Sequence, residues 1–163
     1  MIFAVETMVR MGEIAASRSA GDVLVAIGLG SCIGLVLVDR TTSVAGLAHV
    51  MLPESNGSES FKFADHAVPA LREKVVALGA SPSRLEAVLV GGAQMFSFKG
   101  GLLDIGARNE AATLELLDDL RIPVVAKETA GTKGRTVRVH IEGCRILCKE
   151  AGGAETRLLG AAA

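Results

Sequence analysis

Two apolar runs flank a glycine-cushioned cysteine near the start of the chain, where residues 23–38 read VLVAIGLGSCIGLVLV. Each run is rich in β-branched or aliphatic residues and is too short for a typical helix. We therefore predict two buried strands, Val23 to Ile27 and Ile33 to Val38, joined by a turn that carries Cys32.

A histidine follows in the next apolar run, Val44 to Met51, which we predict to be the hairpin partner of the second strand. Such a hairpin would carry His49 back toward Cys32. At a reference pKa of about 8.5, only a few per cent of a free thiol is thiolate at neutral pH, and an adjacent imidazole raises that fraction. The plainer alternative is a core thiol and a strand histidine that is satisfied by a backbone carbonyl.

Two features favour the functional interpretation of this pair. The glycines on both sides of Ser31 and Cys32 let backbone amides approach a ligand closely, as an oxyanion site requires. A histidine in an apolar strand is also costly to bury without a partner, and the hairpin offers Cys32 as that partner. The N–H groups near Gly30, Ser31 and Cys32 are therefore candidates for holding an oxyanion.

The rest of the chain alternates between patterns of strand and of helix. Strands with two amphipathic helices predict a layered α/β (α+β) fold of mixed sheets covered by helices, in a single domain over residues 1–163 with a core at about 10–150. Before the first helix we predict a first strand around Phe3 to Met8 or Gly12 to Ala16 and a loop at 54–60. The helices are one N-capped by Asp65 and ended by Gly79, and one from Ala107 to Leu120 that opens with Asn109-Glu110. The remaining elements are a strand Leu85 to Val90, an irregular segment Phe96 to Gly106, a strand Pro123 to Lys127, a hairpin of Thr136 to Ile141 with Arg145 to Lys149, and a frayed tail from Ala151.

Composition excludes several classes of function. The 17 basic and 18 acidic residues leave a net charge of -1, and the chain has no Trp or Tyr, so general nucleic-acid binding has no electrostatic or stacking basis. The longest uncharged run falls short of the roughly 20 residues that span a bilayer, so we expect no membrane insertion. Three cysteines without a disulfide framework fit a reducing cytoplasm.

Neither nucleotide nor metal motifs are convincing. Ile33 stands where a dinucleotide fingerprint needs its third glycine, and a strand pattern follows where a helix should begin. A four-residue spacing separates His140, Cys144 and Cys148, but on a hairpin this spacing does not by itself bring three metal ligands together. The two cysteines are better explained as small buried hydrophobic residues. We therefore predict no metal and no organic cofactor.

Four short motifs occur in an order that resembles the chemoreceptor glutamine deamidase family CheD. They are Gly-Leu-Gly-Ser-Cys-Ile at 28–33, Ala-His-Val-Met-Leu-Pro at 48–53, Gly-Gly-Ala-x-Met-Phe at 91–96 and Ile-Gly-Ala-Arg-Asn at 105–109. The resemblance implies a three-layer α/β sandwich and a cytoplasmic enzyme that converts glutamines on the cytoplasmic helices of methyl-accepting chemoreceptors to glutamate. It also implies a CheC-type chemotaxis phosphatase as a regulatory partner.

Carried over by position, Cys32 is the expected nucleophile and His49 the expected base. Gly91, Gly92 and Asn109 join Gly30 and Ser31 as candidates for holding the oxyanion or positioning the substrate. The family pattern has a Thr six residues before the cysteine, and its hydroxyl orients the histidine, whereas this chain has Ala26.

The departure at Ala26 leaves three alternatives open. The leading one is a protein-glutamine deamidase in which a backbone carbonyl, a water, or the hydroxyl of Ser31 or Thr129 replaces the missing group. The second is a binding module that engages chemoreceptors or a CheC-type phosphatase with little catalytic power. The third is a cysteine hydrolase of the same fold that acts on another amide.

Overall fold

The computed structural model describes residues 5–94 and 104–160, and within them the chain forms two helices and ten strands. The helices are α1 (Ala64–Ala77) and α2 (Ile105–Asp119), and the strands are β1 (Val5–Met8), β2 (Ile14–Ser17), β3 (Asp22–Leu29), β4 (Ile33–Asp39), β5 (Val44–Val50), β6 (Glu86–Gly91), β7 (Val124–Thr129), β8 (Arg135–His140), β9 (Arg145–Glu150) and β10 (Glu155–Leu159). Neither helix is long and apolar enough to cross a bilayer.

The strands form two five-stranded mixed sheets that pack face to face. The outer sheet has the order β1-β3-β8-β9-β10, and the central sheet has the order β2-β5-β4-β6-β7. Both helices pack on the far side of the central sheet, so the layers run helices, central sheet, outer sheet. The predicted three-layer sandwich is confirmed, with the difference that the helices cover the central sheet alone among the described elements.

The central strands are buried because both of their faces meet another layer. Every residue of β4 and β5 is buried. Along β4, Leu35 and Leu37 face the helices, while Val36 and Val38 face the outer sheet. Full burial of such a side chain stabilises the fold by about 1.5–3 kcal/mol. This two-sided burial explains why the strand was recognisable as a continuous apolar run.

The last residue of β4, Asp39, is a buried carboxylate. Asp39 is fully buried and accepts hydrogen bonds from Nη2 of Arg84 at 2.9 Å, the Ser81 amide at 2.9 Å and the Thr41 amide at 3.0 Å. Burial alone would raise the pKa of Asp39, but these hydrogen bonds outweigh it and hold the pKa well below its usual value. The bonds anchor the loop after α1 to the central sheet.

Both helices differ at their starts from the sequence prediction. Asp65 is not the N-cap of α1, because the cap position is Phe63 and the Asp65 carboxylate instead accepts hydrogen bonds from Ser55. The helix ends before Gly79, as predicted. The second helix begins before Ala107, at a cap formed by Asp104, whose side chain accepts the Ala107 amide at 2.9 Å.

Both ends of the chain contribute more strand than the sequence indicated. The two candidate first strands both exist, as β1 in the outer sheet and β2 in the central sheet. The prediction of a frayed tail from Ala151 is wrong, because a turn with Gly152 at φ +79° lets β10 return and pair antiparallel with β9. Of the segment predicted to be irregular, Phe96 to Gly106, residues 96–103 lie outside the described residues, as does the end of the 91–96 motif. Its last two residues, Ile105 and Gly106, are helical and belong to α2.

Candidate active site

The turn between β3 and β4 carries Cys32 at one end of the sandwich. A β-bulge between Ala26 and Leu29, with Gly28 at φ +68°, breaks the pairing of β3 with β8 just before this turn. Cys32 is half-buried and packs against the core between the two sheets. The bulge thus ends the regular strand and turns the chain toward the end of the sandwich.

Three successive carbonyls of this turn are fixed by hydrogen bonds. The Gly30 oxygen accepts the Ala93 amide at 2.8 Å, and the Cys32 oxygen accepts the Gly92 amide at 2.9 Å. The Ser31 oxygen accepts Nδ2 of Asn109 at 2.9 Å. In the part of the chain that the structure describes, the N–H groups of Ser31 and Cys32 have no hydrogen-bond acceptor.

Asn109 is fully buried in α2 and bridges two segments of the site. Besides the Ser31 carbonyl, its Nδ2 donates to the Met51 carbonyl at 2.9 Å, two residues beyond His49. A single amide group therefore ties the cysteine turn to the strand that carries the histidine. Both hydrogens of this group are already used, so it acts on the backbone around the cavity.

Gly91 lets the neighbouring backbone approach the cysteine closely. A Cβ at this position would collide with the Cys32 carbonyl oxygen, and the residue has φ +109°. The Gly91 carbonyl accepts Nη1 of the buried Arg135 at 3.2 Å and the Ala130 amide at 3.1 Å. The Gly92 amide donates to the Cys32 carbonyl, so Gly91 and Gly92 together hold the backbone of the cysteine turn in place.

The hairpin of β4 and β5 places His49 opposite Gly34, two residues after Cys32. His49 is 5% exposed, and its Nδ1 lies 3.0 Å from the Val9 carbonyl oxygen. A carbonyl can only accept, so Nδ1 carries the proton and Nε2 keeps a free lone pair. The predicted hairpin is confirmed, and the histidine has one ring nitrogen fixed by the backbone.

Cys32 and His49 line the same cavity, which has a volume of about 320 Å³. Its other walls come from the end of β1 and the bulge of β3, and they are Met8, Val9, Arg10, Met11, Ile27 and Gly28. Among the described residues, the thiol and the imidazole have no direct hydrogen bond with each other. Both nevertheless face a space that a side chain of a partner molecule can enter.

Burial keeps both groups in their neutral forms. It raises the pKa of the Cys32 thiol. It also lowers the pKa of His49, although the Val9 carbonyl and the charge of Glu13 act in the opposite direction. At neutral pH the resting cavity therefore holds a thiol beside a neutral imidazole, and that imidazole can accept a proton at Nε2.

The structure also describes the surroundings of Ala26, of Thr129 and of the carbonyl that contacts His49. Ala26 is fully buried between the sheets, and its methyl group offers no hydrogen bond. The Thr129 hydroxyl donates to Glu110 at 2.8 Å. The Val9 carbonyl is the group that contacts the histidine ring, and sequence reasoning could name a carbonyl but not its residue, because a backbone group leaves no signature in the side-chain pattern.

His140, Cys144 and Cys148 do not share one side of the outer sheet. Cys144 and Cys148 are buried between the sheets, whereas His140 is half-buried on the opposite face. Within residues 5–94 and 104–160, no group of three or more His, Cys, Asp or Glu is arranged to hold a metal ion.

The described elements form a helix–sheet–sheet sandwich in which Cys32 and His49 line one cavity. The family model described as CheD chemotactic sensory transduction matches residues 51–150. A relative from Caldanaerobacter subterraneus subsp. tengcongensis, named a probable chemoreceptor glutamine deamidase CheD, is 46% identical over 150 residues, covering 88% of this chain and 92% of that protein. The chemoreceptor glutamine deamidase CheD of Thermotoga maritima is 41% identical over 150 residues, covering 91% and 94%. The chain belongs to the CheD family.

Among solved structures, a crystal structure of a Neisseria meningitidis protein matched to DUF152 covers 72% of this chain and 51% of that chain. Its sequence identity is 16% and its TM-score is 0.38, so the likeness carries no argument.

Proposed function

We propose that this chain is a protein-glutamine deamidase of chemotaxis, which hydrolyses glutamine side chains of chemoreceptors to glutamate and ammonia. The observation that carries the proposal is the shared cavity of Cys32 and His49, with the His49 ring fixed by the Val9 carbonyl. The printed names of the relatives, chemoreceptor glutamine deamidases at 41–46% identity, support the substrate class and the reaction.

The first half of the reaction forms a thioester. With a glutamine side chain in the cavity, His49 takes the thiol proton at Nε2 and the Cys32 thiolate attacks the carboxamide carbon. The carbonyl oxygen becomes an oxyanion. His49 then returns the proton to the nitrogen, and ammonia leaves as the carbon–nitrogen bond breaks.

Water completes the reaction in the second half. His49 takes a proton from a water molecule, whose oxygen attacks the thioester carbon, and the sulfur leaves and is reprotonated. The net change consumes one water per carboxamide and yields one glutamate and one ammonia. Two proton transfers at one nitrogen need an imidazole that starts neutral, which agrees with the lowered pKa of His49.

The turn is built to hold the oxyanion with backbone N–H groups. A peptide unit is planar and trans, so its carbonyl and its N–H point in opposite directions. The Ala93 amide, which fixes the Gly30 carbonyl, therefore also fixes the direction of the Ser31 N–H. In the same way, the bond from Asn109 to the Ser31 carbonyl fixes the Cys32 N–H. We assign the oxyanion to these two N–H groups.

This assignment gives the other candidate residues a positioning role. Gly92 donates its own amide to the Cys32 carbonyl, and Gly91 allows that close approach. Asn109 spans the Ser31 and Met51 carbonyls. All three act through the backbone of the turn, and none needs to touch the substrate.

The Val9 carbonyl takes the orienting role that Ala26 cannot fill. A group that holds one ring nitrogen fixes the tautomer and direction of the other, and the loss of such a group can cost orders of magnitude in rate. The comparisons do not favour the alternative of a catalytically weak binding module, since the relatives are named deamidases. We also propose, from the resemblance, a cytoplasmic location and regulation by a CheC-type phosphatase.

Ammonia release from a glutamine-bearing chemoreceptor cytoplasmic fragment tests the proposal. Wild type is expected to release ammonia, and mass spectrometry is expected to find glutamate at the former glutamines. Cys32→Ala is expected to abolish release. Cys148→Ala is the matched control, because it removes a cysteine buried between the sheets outside the cavity and should leave kcat unchanged.

Ala26→Thr separates the deamidase from the binding module. Threonine at this position should change kcat by less than about tenfold if the Val9 carbonyl already orients His49. A folded wild type that binds the fragment without releasing ammonia, together with an active Ala26→Thr, would contradict the proposal.

A further inference from the structure

One face of the outer sheet carries a band of basic side chains. Leu24, Ala26, Val137 and Val139 point into the core between the sheets, so their alternate neighbours point outward. Strand pairing extends this alternation across all five strands. The residues of this outer face are Glu6, Met8, Val23, Val25, Thr136, Arg138, His140, Arg145, Leu147, Lys149, Glu155 and Arg157.

The outer face is positive although the whole chain is slightly negative. It holds four Arg or Lys side chains and two Glu side chains, in a chain with a formal charge of -1. Arg138 lies 3.6 Å from Glu155. Arg145, Lys149 and Arg157 have no carboxylate partner among the described residues. The lowered pKa of His140 agrees with this field, since burial and then the charge of Arg145 lower it.

No described element covers this face. Both helices pack on the central sheet, at the opposite side of the sandwich. Lys149, Glu155 and Arg157 are exposed, and Arg138 and Arg145 are half-buried. The cations therefore remain accessible to a partner.

The outer face reaches the cavity of Cys32 and His49. Met8 belongs to the face through its pairing with Val25, and it also lines the cavity. Ile27 follows Val25 on β3, lines the same cavity and is 52% exposed. Adjacent strands are about 4.8 Å apart, so a segment lying across the sheet from β10 to β1 would end at the cavity.

We propose that the outer face docks an acidic segment of the same protein substrate whose glutamine enters the cavity. This inference rests on the proposed deamidase function and names the part of the chain that selects its substrate. Carboxylates of the segment pair with the basic side chains of the outer face that have no carboxylate partner among the described residues. The apolar side chains of Met8 and Ile27 at the edge of the cavity contact the residues around the glutamine. A nucleic acid fits less well, because among the described residues no Phe side chain lies on this face to stack on bases.

The test reverses two exposed charges that do not line the cavity. In Lys149→Glu/Arg157→Glu, KM for the receptor fragment is expected to rise at least about tenfold, with kcat for a short glutamine peptide unchanged. Added salt should raise KM of wild type and have less effect on KM of the variant. The matched control is Arg72→Glu/Lys74→Glu on α1, at the opposite side of the sandwich, which should leave both values unchanged.

A binding arm separates failure of this inference from failure of the proposed function. Fragment binding is measured with Cys32→Ala, with and without the charge reversals, so that it needs no turnover. Loss of binding in the reversed protein supports docking at the outer face even if wild type releases no ammonia. Unchanged binding and KM in a folded variant would overturn the inference. So would reversals that abolish binding to anionic lipid vesicles or DNA while sparing the fragment.

Discussion

Replacing Asn109 with alanine tests whether a buried amide positions the nucleophile. The change removes both hydrogen bonds of Nδ2, to the carbonyls of Ser31 and Met51, each 2.9 Å long. The Ser31 peptide then loses the contact that fixes the Cys32 N–H. We expect a lower kcat on the receptor fragment and a smaller change in KM, because in the proposed site Asn109 acts through the Ser31 and Met51 carbonyls.

The size of the effect follows from the number of bonds lost. Each lost bond leaves a carbonyl with poorer satisfaction, at about 1–2 kcal/mol, so the free energy of unfolding should fall by about 2–4 kcal/mol. For a chain of this length, Tm should drop by about 2–4 °C for each kcal/mol. Removal of one oxyanion donor costs about 10²–10³ in kcat, and a misdirected donor should cost about tenfold to a hundredfold.

Thr113→Val is the matched control for this experiment. Thr113 is also fully buried in α2, and its hydroxyl donates to the Asn109 carbonyl at 2.8 Å without reaching the cysteine turn. It should lower Tm but leave kcat and the alkylation rate of Cys32 unchanged. The positioning role is refuted if Asn109→Ala, folded and assayed below its Tm, keeps the kcat and the Cys32 alkylation rate of wild type.

Three further predictions concern pH and packing. Because the lowered pKa of His49 leaves the base neutral at pH 7, kcat/KM should fall only as pH drops below about 6.5, and alkylation of Cys32 should need a higher pH than that of a free cysteine. A fall in kcat/KM that already begins above pH 7 as the pH is lowered would contradict this. Gly91→Ala should destabilise the fold more than Gly57→Ala in thermal melts, since both have positive φ but only the first meets backbone; equal losses would remove the steric argument. Asp39 has a depressed pKa in the fold, so its contribution to the free energy of unfolding is present above its unfolded pKa of about 3.8 and is lost as pH falls below that value. Asp39→Asn should therefore be less stable at pH 7, and its free energy of unfolding should decrease less steeply with falling pH. Wild-type and variant stabilities that fall in parallel with pH would exclude this linkage.

The sequence predicted the strands that are buried on both faces better than the edges. The run from Ile33 to Val38 has one interpretation because both of its sides meet apolar layers. The tail after Ala151 has two interpretations. Because β10 is an edge strand with exposed Glu155 and Arg157, its pattern is also that of a solvated loop. The N-cap of α1 was misassigned because Asp65 has a tertiary partner in Ser55, which no local pattern reveals.

The candidate site followed the same division between side chains and backbone. Cys32 and His49 are reactive residue types, and the hairpin that brings them together could be predicted from two apolar runs. The partner of His49 could not be predicted, because the Val9 carbonyl reaches the ring from β1 through the packing of two sheets. Asn109 was a candidate through the family resemblance alone, and its two acceptors depend on where α2 packs.

The proposed oxyanion site gives the separated motifs one physical task. Each peptide of the turn has a carbonyl that must be bound on one side if its N–H is to face the cavity on the other. Two of the donors come from the Gly92-Ala93 segment and one from Asn109, which lie in the third and fourth motifs of the sequence. Oxyanion stabilisation requires donors that are already aligned before reaction, since reorientation would cost free energy at the transition state. This requirement explains why residues that need not touch the substrate belong to the same pattern as the cysteine.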